Sequence, residues 1–166
     1  MSMSVESIVI ATDLNKTFKA EQKGLDDVQA LQGINMQIKT GQLTALVGPD
    51  GAGKTTFLRL IAGLYKPTAG SLEVLGMDVA KDPQSVQDRI SYMPQKFGLY
   101  EDLSIQENLD LYADLHGVPM NVRKERFARL LKITDLARFT ERPAGKLSGG
   151  MKQQLGLACT LVRSPA

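Results

Sequence analysis

Gly48-Pro49-Asp50-Gly51-Ala52-Gly53-Lys54-Thr55 decides how this chain reads. It fits the pattern G-x-x-x-x-G-K-[ST], a loop that wraps phosphate. The glycines let the backbone come close enough for several N–H groups to point at one phosphate chain. Lys54 adds a point charge for the β and γ phosphates, and Thr55 offers a hydroxyl to Mg2+. A helix that starts here turns its positive end toward the same anion. The pattern predicts nucleotide-phosphate binding, but it does not choose among kinases, GTPases and ATPases.

The flanks agree with that reading. Leu43 to Val47 is a short apolar-leaning run with the look of a buried parallel strand. Residues 53–62 read as helix: Phe57, Leu58, Leu60 and Ile61 cover most of its circumference, so it should be buried, and Gly63 is placed to end it. Upstream, Ala30 to Lys39 sets Leu31, Ile34, Met36 and Ile38 against Asn35, Gln37 and Lys39, the alternation of a half-buried strand. Ser7 to Phe18 has strand-like spacing, and 19–29 reads as a polar loop. Downstream, Pro67 to Gly70 is a turn, Ser71 to Leu75 a strand, and Ile90 to Met93 a strand-like run stopped by Pro94.

Beyond that point the chain changes character. Ser104 and Glu107 have capping-box spacing and open a helix to about Leu115. Gly117 to Pro119 breaks it. Asn121 to Lys132 carries Phe127, Leu130 and Leu131 on one face. A last helix opens near Gly150 with Met151, Leu155, Ala158 and Val162 in register.

Composition narrows the function classes. The chain has 166 residues, the usual size of one domain. Lys and Arg number 20 against 18 Asp and Glu, a net charge of +2, which excludes nucleic-acid binding driven by bulk charge. Cys159 stands alone, so no internal disulfide forms and a reduced compartment fits. Met1 to Ile10 lacks the features of a secretory signal, and no run of about 18 apolar residues would span a membrane. Any membrane role is therefore expected to run through a partner.

Two further segments carry a resemblance. Leu147-Ser148-Gly149-Gly150-Met151-Lys152-Gln153-Gln154 opens the last helix and resembles the signature motif of ABC ATPases, usually L-S-G-G-Q. Tyr92-Met93-Pro94-Gln95 resembles the Q-loop of the same family, and the run from Met93 to Tyr100 is most similar to bacterial multidrug-export members. The resemblance covers nearly the whole chain from about Ser7. It implies a P-loop NTPase (RecA-like) α/β core with an antiparallel β subdomain and an inserted helical subdomain. The implied division is 1–95 for the core with its β subdomain and phosphate loop, 96–147 for the helical subdomain, and 148–166 for the signature segment.

The resemblance also implies roles. Phe18 stacks on adenine. Gly48, Pro49, Asp50, Gly51, Ala52, Gly53, Lys54, Thr55 and Thr56 hold the phosphates of ATP. Thr55 ligates Mg2+, and Gln95 ligates Mg2+ or the attacking water and links the core to the helical insertion. Ser148, Gly149, Gly150 and Met151 reach the γ-phosphate held by a second ABC ATPase domain in a head-to-tail dimer. A transmembrane permease is the other partner, nucleic acid is not one, and the subunit sits at the cytoplasmic face of the membrane. The residues from Lys96 to Leu103, with Phe97, Leu99 and Tyr100, read equally as a partner contact or as packing against the insertion's own helices.

Departures are specific. Met151 replaces the common Gln of the signature. Asp50 brings a carboxylate into the phosphate loop, harmless if its side chain points away from the phosphates. The family's Asp-Glu strand and later His are expected beyond Ala166, so no catalytic general base is assigned in this chain. His116, the only histidine, lies before the signature and reads as a surface residue at a helix end. On this reading the chain binds nucleotide weakly, hydrolyses negligibly and exposes apolar surface. Two other readings fit the same residues: a soluble non-transport ABC ATPase, and a non-catalytic nucleotide-binding remnant.

Overall fold

The computed structural model describes residues 7–20, 22, 24–96 and 98–163. The chain forms two compact units, Met1–Ile90 and Ser91–Ala166.

The first unit is built on an antiparallel sheet. Strands β1 (Ser7–Phe18), β2 (Val28–Lys39), β3 (Ala69–Val74) and β4 (Met77–Asp78) lie in the order β2-β1-β3-β4. In β2 the even-numbered positions from Ile34 to Ile38 turn inward and their neighbours outward, as the alternation requires. Strands β3 and β4 join through Leu75-Gly76, both at positive φ (52° and 74°), the demand of a tight two-residue hairpin. Helix α1 (Lys54–Ile61) lays Phe57 and Leu60 against Leu14, Leu31 and Leu72 of the sheet. It ends as its glycine predicts: Gly63 N–H donates to the Leu60 carbonyl and Leu64 N–H to the Arg59 carbonyl, both at 2.9 Å. Helix α2 (Pro83–Arg89), absent from the sequence expectations, had a local signal in Asp82-Pro83. Asp82 accepts the Ser85 N–H at 3.1 Å, with proline in the first turn, and this bonding to Ser85 holds the carboxyl below its ordinary range.

Two expected strands are not strands. Leu43–Val47 has no regular structure, and Leu43 and Val47 stand 102% and 90% exposed. Ile90 is extended (φ −120°, ψ 164°), but no ladder forms from it to Met93. The cause is shared. A parallel strand exists only through hydrogen bonds to neighbours, and every ladder among the described residues is antiparallel and belongs to β1–β4. Leu58 is likewise 47% exposed, because α1 packs on a single surface and buries only Phe57 and Leu60.

The second unit is helical: α3 (Ile105–Leu115), α4 (Met120–Ile133) and α5 (Gly149–Leu161), with short 3-10 turns at Ala137–Phe139 and Ala144–Lys146. The capping box forms in full. Ser104 N–H donates to the Glu107 carboxylate at 2.7 Å, and Glu107 N–H donates to the Ser104 hydroxyl at 3.2 Å. Ile105, Leu109, Phe127, Leu130, Leu155, Ala158 and Val162 close one core. Its buried polar groups are satisfied. Arg123 Nε donates to the Val118 carbonyl at 2.8 Å while Nη2 meets Asp114 at 2.7 Å. Asn108 accepts the Tyr100 N–H at 3.0 Å and donates to the carbonyls of Tyr100, Leu103 and Ser104, pinning the segment before α3.

Candidate nucleotide-binding site

The phosphate loop is seated by one residue. Gly53 has φ 80°, and a Cβ there would lie 2.5 Å from the Ala30 carbonyl oxygen and 2.7 Å from Leu31 Cδ2. Only glycine lets the loop press against β2 and turn into α1. The first α1 bond runs from Phe57 N–H to the Gly53 carbonyl at 2.9 Å, so the N–H groups of Lys54, Thr55 and Thr56 precede it at the positive helix end. No side chain caps this end and no acidic residue occupies its first turn. Lys54 Nζ folds over the loop, donating to the carbonyls of Gly48 at 2.8 Å and Pro49 at 2.6 Å. The Lys54 ammonium is thus held over the loop carbonyls. Gly48 to Gly51, Asp50 included, are exposed.

Phe18, at the end of β1, is half-buried and does not stand alone. Its ring meets Tyr65 edge-to-face with centroids 5.3 Å apart, and Lys16 Nζ lies 5.0 Å from its centroid. The sequence expectations missed Tyr65, Lys16 and Arg59 here. The signal for Lys16 was present, since residues two apart share a strand face; Tyr65 comes from a distant turn and left none.

In the helical unit, Ser148 caps α5, accepting the Met151 N–H at 3.3 Å. Gly149 and Gly150 follow, and a Cβ on either would meet nothing within 4 Å. Neither has positive φ, so this chain's own packing does not require glycine at either place. Met93, Ser148, Gly150, Met151, Gln153 and Leu157 line a shallow groove of about 510 Å³ along this helix start. Gln95 is exposed. Lys152, one turn in, pairs with Glu101 at 2.6 Å. Leu99 packs on the helical core, whereas Tyr100 is 55% exposed; Phe97 lies outside the described residues. His116 caps the end of α3 and is exposed, as its position suggested.

The ABC transporter family model matches residues 31–166. The chain belongs to the ABC transporter family. It is 52% identical over 160 residues to the probable multidrug ABC transporter ATP-binding protein YbhF of Escherichia coli, a match spanning 96% of this chain and 27% of that protein. It is 35% identical over 149 residues to the daunorubicin resistance ATP-binding protein DrrA3 of Streptomyces coeruleorubidus, covering 90% of this chain and 47% of the relative. Among solved structures, the dimeric post-hydrolysis form of the ATP-binding cassette MJ0796 bound to ADP and Pi superposes with a TM-score of 0.81 at 30% identity, over 95% of this chain and 70% of that one. The fold is therefore that of an ABC cassette, a P-loop NTPase with an antiparallel sheet and helical parts, present over part of the full domain. The chain spans about a quarter of YbhF and about half of DrrA3.

Proposed function

We propose that this chain is the ATP-binding part of a transporter motor, and that paired motors couple ATP hydrolysis to export across a membrane. The observation that carries the pairing is the difference between two glycine-bearing helix starts. Gly53 is demanded by its own chain, whereas Gly149 and Gly150 face open space beside a capped and otherwise bare helix end. A helix start stripped of side chains suits an anion brought by another molecule. In the proposed head-to-tail pair, Ser148, Gly149, Gly150 and Met151 contact the γ-phosphate seated on the second ATPase domain's phosphate loop.

Within one chain, the loop from Gly48 to Gly53, with Lys54, Thr55 and Thr56, takes the ATP phosphates, and Phe18 takes the base. Thr55 offers an oxygen ligand that suits Mg2+; among the described residues no group of three or more His, Cys, Asp or Glu could hold a metal. Mg2+ there would neutralise charge on the phosphate oxygens. The multidrug-transporter name of YbhF, at 52% identity, and the drug-resistance name of DrrA3 favour a drug-transport reading, and a transmembrane permease is the implied partner. Attachment to the cytoplasmic face of the membrane would run through that permease; among the described residues no helix is long and apolar enough to cross a membrane.

Gly150→Ala in the full-length transporter tests the pairing. Stability should hold or rise by up to about 1 kcal/mol, because alanine is the better helix former. ATP binding should persist while turnover falls at least tenfold. Unimpaired turnover would reject the pairing.

A further inference from the structure

We propose that Tyr65 is a positioning residue for Phe18 and ties the base-binding end of the site to the phosphate-loop helix. The inference rests on the reading of Phe18 as the adenine platform. Three contacts fix Tyr65 to α1. Its N–H donates to the Arg59 carbonyl at 3.3 Å, its hydroxyl accepts from Arg59 Nη1 at 3.0 Å, and the Arg59 guanidinium lies 5.7 Å from its ring centroid. Arg59 belongs to α1, the helix whose first turn carries Lys54 and Thr55.

The tyrosine ring then meets Phe18 at 5.3 Å and 76°, the edge-to-face geometry that aromatic pairs favour. Lys16 closes the cluster from the strand side. Its ammonium lies 5.0 Å from the Phe18 centroid and 5.5 Å from that of Tyr65, and it donates to the Lys66 carbonyl at 3.0 Å. The Phe18–Tyr65 pair thereby joins the end of β1 to the turn after α1, beside the bonds from Thr68 N–H to the Asn15 carbonyl at 2.9 Å and from Thr17 N–H to the Thr68 hydroxyl at 3.0 Å. A half-buried phenylalanine at a strand end would otherwise sample several rotamers, and each would have to be frozen when a base stacks. With Tyr65 in place the ring is held before the nucleotide arrives, at a fixed offset from the phosphate-binding turn. The consequence is selective: Tyr65 strengthens binding of a nucleotide that carries a base and leaves binding of bare polyphosphate alone.

The test is equilibrium binding of ATP and of inorganic tripolyphosphate to the full-length protein and four variants: Tyr65→Leu, Tyr65→Phe, Phe18→Leu and the Phe18→Leu/Tyr65→Leu double. Tyr65→Leu should weaken ATP about three- to tenfold with tripolyphosphate unchanged within about twofold. Tyr65→Phe keeps the ring and should cost ATP about twofold or less. In the Phe18→Leu background, Tyr65→Leu should add nothing. Equal loss of both ligands in Tyr65→Leu, no loss of either, or a further loss in the double variant overturns the positioning role. If Phe18→Leu binds ATP normally, the platform reading itself falls and takes this inference with it.

Discussion

The two units of this chain differ in where their partners lie. In the helical unit the closing contacts are local or face-to-face between its own helices: Ser104 with Glu107, Ser148 with Met151, Arg123 with Val118, Leu109 with Leu155 in one core. In the sheet unit the antiparallel part closes on itself, but the Leu43–Val47 run just ahead of the phosphate loop finds no ladder. A helix satisfies its backbone internally; a parallel strand borrows that satisfaction from neighbours far off in sequence. Two apolar segments of equal promise therefore end differently.

The sharpest way to break this contrast is a pair of truncations in the 166-residue chain. Leu155→Ala in the helical core should cost about 2–5 kcal/mol in a urea melt. Leu43→Ala, at a fully exposed position, should stay within about 0.5 kcal/mol. Equal costs would mean that the run is buried after all.

Local closure of the helical unit is sharpened by Ser104→Ala, which should cost about 1 kcal/mol. The same box sets an acid limit. Bonding from the Ser104 N–H, then from its side chain, holds the Glu107 carboxyl below its ordinary range. A depressed carboxyl contributes stability above its unfolded value and loses it as pH falls through the folded one. Far-UV melts should therefore show this contribution fading on the acid side of the usual carboxylate range, and Glu107→Gln should flatten that fade.

The smallest effect is a silence. Burial pushes the Cys159 thiol up to about 12, and the residue is fully enclosed. A thiol reagent at pH 8 should leave Cys159 untouched in the folded protein and label it on unfolding. Prompt labelling of the native state would show that the α5 core opens readily. The sign for stability is the reverse of that for Glu107: the raised thiol favours the fold below its ordinary value and loses that contribution as pH climbs past it.

Legibility followed the same division. The caps at Ser104 and Ser148, the stripe from Phe127 to Leu131, the alternation of β2 and the turn at Gly63 were all readable, because each signal sits within a few residues of its effect. Leu43–Val47 and Ile90–Met93 were read as strands from composition, which cannot report whether a neighbour is present. Leu58 was placed inward because the apolar count of α1 says how much can be buried, not how many surfaces are there to receive it. At the site, the phosphate loop and the signature were readable as patterns, and each does lie at the start of a helix. Tyr65 was not, since only the fold brings the turn after α1 to the end of β1. The glycines show the limit most clearly: Gly53 and Gly150 look alike in sequence, and only the structure shows that one is required by its own chain and the other leaves open space.

The central claim is that ATP is held by the phosphate loop of the sheet unit, and one binding titration tests it most directly. Lys54→Ala in the full-length protein should lose about 100-fold or more in ATP affinity, since it removes the cation placed over the loop carbonyls of Gly48 and Pro49. Ser148→Ala, measured beside it, should bind ATP to the single subunit as the parent does. Unchanged affinity in Lys54→Ala would contradict the account at its root.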